Sequence, residues 1–527
     1  MCGIFAFRGS SVSLDQLKSS SKMLERRGPD HASFDTIARE AYMAFYRLAI
    51  MDTSFHGNQP FKNKESDFLI CNGEVYNYET LKSEFLKDYS FESHSDCEVI
   101  LPLIKKFGIE KTVKKLDAEF ALVYWDAKKN AFLAARDPIG IRPLFVGYTQ
   151  VKGEIAFASE AKALHAFCKD IRPFPPGHYF DGEQFISYRS MVSQPTKSST
   201  RTEATTKIAT LLTDAIVKRL HSDRTLGCLL SGGLDSSLVA AIAAKNLSTP
   251  LRTFAIGTKV DPIDLKYASI VAKHIHSDHT EVYFEHEEPI EVLDEVIKTI
   301  ESWDTTTVRA SIGMYLVCKA IRKNSPVKVL LTGEVSDELF GYKYTDFAPS
   351  PDEFQREAIK RVDELHYFDV LRADRCISAH GLEARVPFGD LEFVDHVMSI
   401  TPKDKMNLNK VGKSLLREAF SETQLLPHEI LYREKAAFSD AVGHSMVDNL
   451  KAYAEKIVSD QEFEEAANMN PPPLTKEALL YRKIFEKHYP GRSALIKSYW
   501  MPNMTWQGCN VTDPSARVLS NYGASGH

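Results

Sequence analysis

The segment that most constrains the fold is a strand, a double-glycine turn and a helix in immediate succession. The apolar run TLGCLL is followed by SGGLDSS at positions 231–237, and SSLVAAIAAKN then has the spacing of a helix. TFAIG and KVLLTG are further short strand-like runs, separated by the helical patterns KYASIVAKHI and LDEVIKTIESW. Because strands and helices alternate in this way, the chain from about residue 205 to 345 is predicted to form a parallel α/β sheet.

The turn at 231–237 has the composition of an anion-binding loop. It lies at a helix N-terminus, where free backbone N–H groups and the helix dipole favour negative charge. Gly232 and Gly233 let the backbone approach a phosphate closely, and Ser231 and Ser236 add hydroxyl donors. No Lys follows as in a Walker A motif, and Asp235 would repel a phosphate unless a cation such as Mg²⁺ stood between them. An ordinary strand-to-helix turn with serine caps is the alternative.

A second loop follows another apolar strand and is rich in acids. In KVLLTGEVSDELFGY the carboxylates of Glu334, Asp337 and Glu338 come close together. They would repel each other unless they bind a metal or are solvated at the start of a helix. The metal interpretation gains weight because ligands of open α/β sheets bind at the carboxyl ends of the strands.

The remaining sequence divides into regions that differ in composition and in the spacing of apolar residues. Up to about residue 185 short alternating apolar segments such as AYMAFYRL and FALVYWDA predict antiparallel sheet, interrupted by helical patterns such as CEVILPLIKKFG. The Ser/Thr-rich stretch SQPTKSSTRTEATTK has the composition of a linker. After about residue 345 the chain is mostly helical, and its last residues are expected to be a poorly ordered tail.

Composition excludes several classes of protein. The 527 residues carry a net charge of −6, so no basic excess points to nucleic acid or an anionic membrane surface. No apolar run reaches the roughly 18 residues of a membrane span, and the N-terminus lacks the pattern of a secretory signal. The eight cysteines form no CxxC pair, so a cytoplasmic location is expected. A homodimer is a candidate assembly.

The second residue is a cysteine, which gives the N-terminus a chemical interpretation. Removal of Met1 would leave Cys2 with a free α-amine, whose ordinary pKa is roughly 7.7–8.0. One residue would then supply both a thiol nucleophile and a base. A lone cysteine there is more often without function, so the surrounding motifs decide.

Five motifs follow in order: MCGIF, RRGPD, FYRLAIMD, CNGEVYN and SDCEVI. Together they resemble the class II glutamine amidotransferase domain, which implies an N-terminal-nucleophile hydrolase fold, an αββα sandwich. The resemblance implies that Cys2 attacks the glutamine amide and that Asn72 and Gly73 form the oxyanion hole. It also implies a set of residues that bind glutamine: Arg47, Leu48, Ala49, Ile50, Met51, Asn72, Gly73, Glu74 and Asp96. Within this set Arg47 would pair with the α-carboxylate, and Glu74 and Asp96 with the α-ammonium group.

SGGLDSS in turn resembles the pyrophosphate loop of the ATP-pyrophosphatase family, and the two halves together resemble the glutamine-hydrolysing asparagine synthetase family. The resemblance implies an amidotransferase domain at 2–188, a linker at 189–204, a synthetase domain at 205–505 with a helical C-terminal part, and a tail at 506–527. It implies aspartate, glutamine and ATP as substrates and a β-aspartyl-AMP intermediate, with Glu334 and Lys413 catalytic and Asp235 and Asp337 binding Mg²⁺. The implied ATP-binding residues are Leu230, Ser231, Gly232, Gly233, Leu234, Asp235, Ser236, Ile256, Thr332 and Gly333.

Two departures from the family pattern lie beside the predicted ATP site. Val335 stands where the family usually has glycine, and the loop after Phe340 is shorter than usual. If position 335 requires a positive φ, a β-branched residue there is costly. Two alternatives stay open: an amidotransferase acting on another carboxylate, and a glutaminase-only or sensor protein. A β-lactam synthetase is disfavoured because Cys2 and Glu334 are both present.

Overall fold

The computed structural model describes residues 1–192, 200–259, 263–407, 411–434 and 444–523. The chain divides into two compact units. The first contains Met1–Ser190 with two short later segments, Ser222–Thr225 and Ile377–Ala384, and the second contains the rest. No helix in the described ranges is long and apolar enough to cross a membrane.

The first unit is built on two six-stranded sheets. One has the strand order β10-β8-β9-β1-β3-β2 and the other β12-β11-β7-β6-β5-β4, and their paired strands are antiparallel. The strands are β1 (Gly3–Arg8), β2 (His31–Ala38), β3 (Ala41–Arg47), β4 (Phe61–Lys62), β5 (Phe68–Val75), β6 (Ala118–Asp126), β7 (Ala131–Arg136), β8 (Phe145–Tyr148), β9 (Ile155–Ala158), β10 (Asp170–Pro173), β11 (His178–Phe180) and β12 (Phe185–Ser187). The helices are α1 (Leu14–Lys22), α2 (Tyr78–Phe85), α3 (Ile100–Phe107), α4 (Ile109–Val113) and α5 (Lys162–His165).

Strand β6 shows why the layers form. Its sequence AEFALVYWD is apolar on both faces, and successive side chains of a strand point to opposite sides. Ala121, Val123 and Trp125 join residues of the other sheet in one core, whereas Phe120 and Leu122 join residues of α3 and α4 in a second core. Helices α1 and α5 pack on the other sheet. The predicted αββα sandwich is confirmed.

The second unit contains four strands of a five-stranded sheet of order β15-β14-β13-β16-β17, and its fifth strand spans the point at which the chain returns to this unit. Strands β13 (Leu226–Leu229), β14 (Arg252–Gly257), β15 (Asp278–Tyr283) and β16 (Val329–Leu331) pair in parallel, and β17 is Glu383–Arg385. The helices before residue 345 are α6 (Arg201–Lys218), α7 (Leu234–Asn246), α8 (Ile263–His274), α9 (Glu288–Glu291), α10 (Leu293–Ile300), α11 (Thr305–Asn324) and α12 (Ser336–Phe340). The predicted parallel α/β sheet is confirmed.

The later part of this unit is helical, as predicted. Its helices are α13 (Pro351–Glu364), α14 (Asp369–Ser378), α15 (Leu391–Ser399), α16 (Pro402–Lys405), α17 (Ser414–Phe420), α18 (His428–Leu431), α19 (His444–Ile457), α20 (Asp460–Glu465) and α21 (Lys476–His488). The expectation of a poorly ordered tail is wrong for residues 506–523, because Trp506, Cys509 and Leu519 are buried in a cluster with Tyr344. Residues 524–527 lie outside the described residues.

The predicted linker at 189–204 is only partly described, because residues 193–199 lie outside the described residues. Helix α6 begins at Arg201, where the Thr200 side chain and Glu203 form a reciprocal capping box. The last four residues of the predicted linker therefore belong to a helix. The domain boundaries stay a prediction.

Lys405 ends helix α16 and is buried. Its side chain is 2% exposed, and its Nζ has no hydrogen-bond partner among the described residues. Burial lowers the pKa of Lys405 from 10.5 to about 7. A buried ammonium without a partner opposes folding.

Lys405→Met should therefore raise the free energy of unfolding by about 1–3 kcal/mol near neutral pH. Between the folded pKa of about 7 and the unfolded value of 10.5, the unfolded wild type binds more protons, so its stability rises with pH. The gain from methionine should thus be larger at about pH 6 than at about pH 9 in urea unfolding. Lys403→Met, at an exposed position of the same helix, is the control, and an equal gain in both variants would contradict the prediction.

Candidate functional site

Cys2 immediately precedes strand β1, which is an interior strand of its sheet. Its backbone N–H donates to Asn72 Oδ1 at 2.8 Å, and its Sγ lies 3.7 Å from the carbonyl oxygen of Leu48. Burial raises the pKa of the Cys2 thiol to about 11. The thiol is therefore protonated at neutral pH and needs a base to act as a nucleophile.

The structure describes the chain with Met1 in place. The Met1 α-amine donates to the Leu382 carbonyl at 3.3 Å and lies 3.9 Å from Glu383. Burial lowers the pKa of this amine to about 6. The buried α-amine of Met1 is therefore a weaker base than an ordinary N-terminal amine.

Asn72, the predicted oxyanion donor, contacts Cys2 through its side-chain amide. It lies in strand β5, its Oδ1 is taken by the Cys2 N–H, and its Nδ2 is buried without a hydrogen-bond partner among the described residues. An unpaired buried donor is costly unless a ligand satisfies it. At the neighbouring Gly73, a Cβ would lie 2.5 Å from the Glu119 carbonyl oxygen, so only glycine fits there.

Arg47 ends strand β3 and is 5% exposed. Its Nη1 donates to the Ser54 carbonyl at 2.6 Å and to Asn58 Oδ1 at 2.8 Å, and its Nη2 donates to the carbonyls of Met51 and Asp52. The guanidinium therefore holds the segment that follows Leu48, Ala49, Ile50 and Met51, all of which are buried. Its pairing with a glutamine carboxylate stays a prediction.

The two predicted acceptors of the α-ammonium group lie beside the same strand. Asp96 is 3% exposed and accepts from the Val75 N–H at 2.6 Å through Oδ2. Glu74 is 6% exposed in strand β5. Glu74 therefore adjoins Gly73 in strand β5, and Asp96 is held at Val75 of the same strand.

Three residues that were not predicted to belong to the glutamine site form hydrogen bonds with its backbone or with the segment beside it. Arg27 Nε donates to the Cys2 carbonyl at 2.9 Å, and its Nη1 contacts Glu160 and Ser378. Its position inside RRGPD was the signal in the sequence that could have revealed it. Asp223 Oδ2 accepts from the Asp52 N–H at 2.8 Å, and Arg224 Nε donates to the Ala49 carbonyl at 2.9 Å. No sequence motif indicates a role for Asp223 or Arg224.

In the second unit the loop 231–237 joins β13 to α7. Gly232 has φ +70°, and a Cβ there would lie 2.4–2.5 Å from atoms of Tyr267 and Ala268. Both facts require glycine. Ser231 and Ser236 hold the loop closed, with their Oγ atoms 3.1 Å apart and the Ser231 N–H donating to Ser236 Oγ.

The loop borders a cavity of about 350 Å³. Nine of the ten predicted ATP-binding residues line it, and Gly232 does not. Glu334, Asp337 and Lys413 also line the cavity. The structure therefore brings the two acid-containing loops together at the carboxyl ends of β13 and β16, as the sequence predicts.

Lys413 is the centre of a buried charge cluster. Its Nζ lies 2.7 Å from both Asp235 oxygens, 2.6 Å from Asp337 Oδ1 and 3.0 Å from Ser336 Oγ. Ser336 also donates to Asp235 at 2.7 Å. Because the predicted metal ligands converge on one point, they fit a cation.

Glu334 faces the same cavity and is held by an arginine. Arg372 Nη2 lies 2.8 Å from Glu334 Oε2 and 2.6 Å from Asp369 Oδ1. Nearby, burial and the charges of Asp369 and Asp337 raise the pKa of Glu338 well above its ordinary value. This part of the cavity wall thus carries Arg372 and four carboxyl groups, those of Glu334, Asp337, Glu338 and Asp369.

Val335 adopts φ +80° and ψ −20° at the N-terminus of helix α12. Its side chain is 1% exposed. A β-branched residue in this region is a genuine outlier that costs of the order of 1–2 kcal/mol. The departure noted in the sequence therefore places strain beside the cavity, as expected if the position requires a positive φ.

Each of the two units matches a family of known proteins. Residues 1–192 match the glutamine amidotransferase domain model, and residues 207–351 and 346–513 match the asparagine synthase model. Over 100% of both chains the sequence is 43% identical to the glutamine-hydrolysing asparagine synthetase of Bos taurus. The chain belongs to the glutamine-hydrolysing asparagine synthetase family. The family's enzymes of Mus musculus and Homo sapiens are each 42% identical over 99% of both chains, so the resemblance noted in the sequence is confirmed.

Arg224→Ala should raise the KM for glutamine about fivefold and leave kcat nearly unchanged, since it removes one hydrogen bond that orders the predicted glutamine-binding segment and touches no reacting atom. Glutaminase kinetics measure this. Arg172→Ala is the matched control, because Arg172 is 71% exposed and pairs with Asp170. An unchanged KM in Arg224→Ala would contradict a role of residues 222–225 in glutamine binding.

Proposed function

We propose that the chain makes L-asparagine from L-aspartate, using ammonia released from L-glutamine and cleaving ATP to AMP and pyrophosphate through β-aspartyl-AMP. The observation that carries the proposal is the convergence of Asp235, Asp337 and Lys413 beside the SGGLDSS loop in one cavity. The family relationship over the whole chain supports the same activity, and it does not favour a different acceptor or a glutaminase-only protein.

At the first site Cys2 is the proposed nucleophile. After removal of Met1, the α-amine of Cys2 takes the thiol proton and Sγ attacks the γ-carboxamide carbon of glutamine. Asn72 Nδ2, which has no partner among the described residues, and the Gly73 N–H receive the developing oxyanion. Ammonia leaves, and water then cleaves the thioester to give glutamate.

At the second site the proposed first step is adenylation. A carboxylate resists attack by ammonia because its oxygen is a poor leaving group, and AMP is a better one. The β-carboxylate of aspartate attacks the α-phosphorus of ATP and pyrophosphate leaves. The loop 231–236 and Lys413 bind the phosphates, since the loop offers serine hydroxyls at a helix N-terminus and Lys413 an ammonium group.

The residues of this site fit a Mg²⁺ ion that binds together with ATP. Within the described residues no group of three or more His, Cys, Asp or Glu side chains is arranged to hold a metal. Two carboxylates plus substrate phosphates are the usual ligands of Mg²⁺ in such enzymes, and Asp235 and Asp337 supply the two carboxylates. When bound, the ion would neutralise phosphate charge.

Glu334 is the proposed base for the second step. Ammonia attacks the β-carbonyl carbon of the adenylate, AMP leaves, and the nitrogen loses a proton to Glu334. Arg372 orients the carboxylate by its contact at 2.8 Å. A homodimer and a cytoplasmic location stay predictions from the sequence.

Purified protein supplied with glutamine, aspartate, ATP and Mg²⁺ should form asparagine, glutamate, AMP and pyrophosphate. Chromatography of the nucleotides and amino acids measures all four products. ADP in place of AMP would contradict adenylation, and trials with other acceptor acids test the substrate.

Cys2→Ala should abolish glutamine-dependent asparagine synthesis and preserve synthesis from added ammonia, because the substitution removes only the proposed thiol nucleophile. Both activities are measured on the same folded preparation. If ammonia-dependent synthesis also disappears in a folded variant, the two sites do not act as separate half-reactions.

A further inference from the structure

The C-terminal strap, defined here as residues 506–523, packs against the second unit. Trp506, Cys509 and Leu519 are 0–4% exposed and form a cluster with Tyr344. The ring of Trp506 stacks on Tyr344 with centroids 6.1 Å apart. Apart from one short 3₁₀ helix at Ala516–Val518, the strap has no helix or strand. Such a segment buries its side chains only where it fits a specific surface.

One anchor of the strap is a buried ion pair with helix α11. Arg309 is 2% exposed, and its Nη1 and Nη2 lie 2.9 Å and 3.2 Å from the two oxygens of Asp513. Lys451 contacts Asp513 at 2.6 Å. Burial alone would raise the pKa of Asp513, but these hydrogen bonds hold it below its ordinary value. The carboxylate thus stays charged and bound.

The other anchor holds the loop after Phe340, which is shorter than in the family pattern. Asn521 Nδ2 donates to the Lys343 carbonyl and to Asp346 Oδ2, each at 2.8 Å. Cys509 Sγ contacts the Tyr344 carbonyl at 3.7 Å. Lys343, Tyr344 and Asp346 all line the cavity. The strap therefore supports a part of the cavity wall from outside.

Between the two anchors the strap itself reaches the cavity. Pro514, Ser515 and Ala516 line it together with Arg309 of α11 and Glu334. The Ser515 N–H donates to Asp513 Oδ1 at 2.8 Å, so the anchor and the lining residues form one turn. A displacement of Asp513 would therefore also displace Pro514, Ser515 and Ala516 in the cavity wall.

We propose that the C-terminal strap is part of the synthetase site and keeps water away from the acyl-adenylate, with Asp513 as a positioning residue. The inference rests on the proposed function. Water competes with ammonia for the same carbon: its oxygen attacks the β-carbonyl carbon, the bond to the phosphate oxygen breaks, AMP leaves and a proton is released. Aspartate is regenerated, so each such event consumes ATP without forming asparagine.

The experiment measures pyrophosphate formed per asparagine in the full-length chain, with saturating ammonium, aspartate, ATP and Mg²⁺. Asp513→Asn keeps the size of the side chain and removes its charge. It should raise the pyrophosphate-to-asparagine ratio about twofold or more, with the glutaminase rate unchanged. A merely structural role would lower both products together and leave the ratio constant, which would overturn the proposal.

Asp448→Asn is the matched control. Asp448 pairs with Arg517 of the strap, but it is 57% exposed and does not line the cavity. The pyrophosphate-to-asparagine ratio of Asp448→Asn should equal that of the wild type. An equal rise in this variant would overturn the specific role of Asp513.

Asn521→Ala is the second variant, used if Asp513→Asn does not fold. It removes the hydrogen bonds from Asn521 to the Lys343 carbonyl and to Asp346, and it leaves Arg309 paired with Asp513. The same rise in the ratio is expected, and an unchanged ratio in the folded variant overturns the proposal.

Failure of the proposed function can be told apart from failure of the inference. If the wild type forms neither pyrophosphate nor asparagine, the function is wrong. Hydrogen exchange then tests the strap: ATP with Mg²⁺ should slow exchange in residues 341–347 and 506–523, and unchanged exchange in both segments overturns its place in the site.

Discussion

The second unit depends on one electrostatic constraint, the meeting of two carboxylates on a single ammonium. Asp235 follows β13 and Asp337 follows β16, and each lies within 2.7 Å of Lys413 Nζ. Without a cation the two carboxylates would repel each other in a largely buried place. The lysine therefore holds the two loops against the same cavity, and a metal bound with phosphate would satisfy the same pair.

The backbone strain at Val335, beside the cavity, persists because the residues around it are held in place. Val335 adopts a backbone conformation that disfavours β-branched residues, yet it lies between a buried strand and a helix that begins at once. The shorter loop that follows is held by Asn521 and Cys509 of the C-terminal strap. Such over-determined surroundings are where backbone strain persists in proteins. The two sequence departures are thus accommodated by packing rather than by a change of fold.

In the first unit the key constraint is sheet pairing. Strand β1 lies between β3 and β9, and β5 belongs to the other sheet, where its Asn72 meets the backbone of Cys2. Rigid strands therefore position Cys2 and the Asn72 side chain, whose Oδ1 accepts the Cys2 N–H and whose Nδ2 has no partner among the described residues. Arg27 adds a further restraint from the carbonyl side of Cys2. If Cys2 is the nucleophile, as proposed, a residue held in this way needs little reorganisation to react.

The sequence by itself determined the fold class and most of the candidate sites. Strand-like and helix-like periods follow from local side-chain pattern, and the motifs around Cys2, Ser231 and Glu334 have specific compositions. Tertiary structure decided what depends on distant segments. Asp223 and Arg224 hold the predicted glutamine-binding segment, and Pro514, Ser515 and Ala516 of the C-terminal strap line the cavity, although neither stretch has a local signal of such contacts. Contacts of this kind depend on which surfaces meet after folding, and no local pattern encodes them.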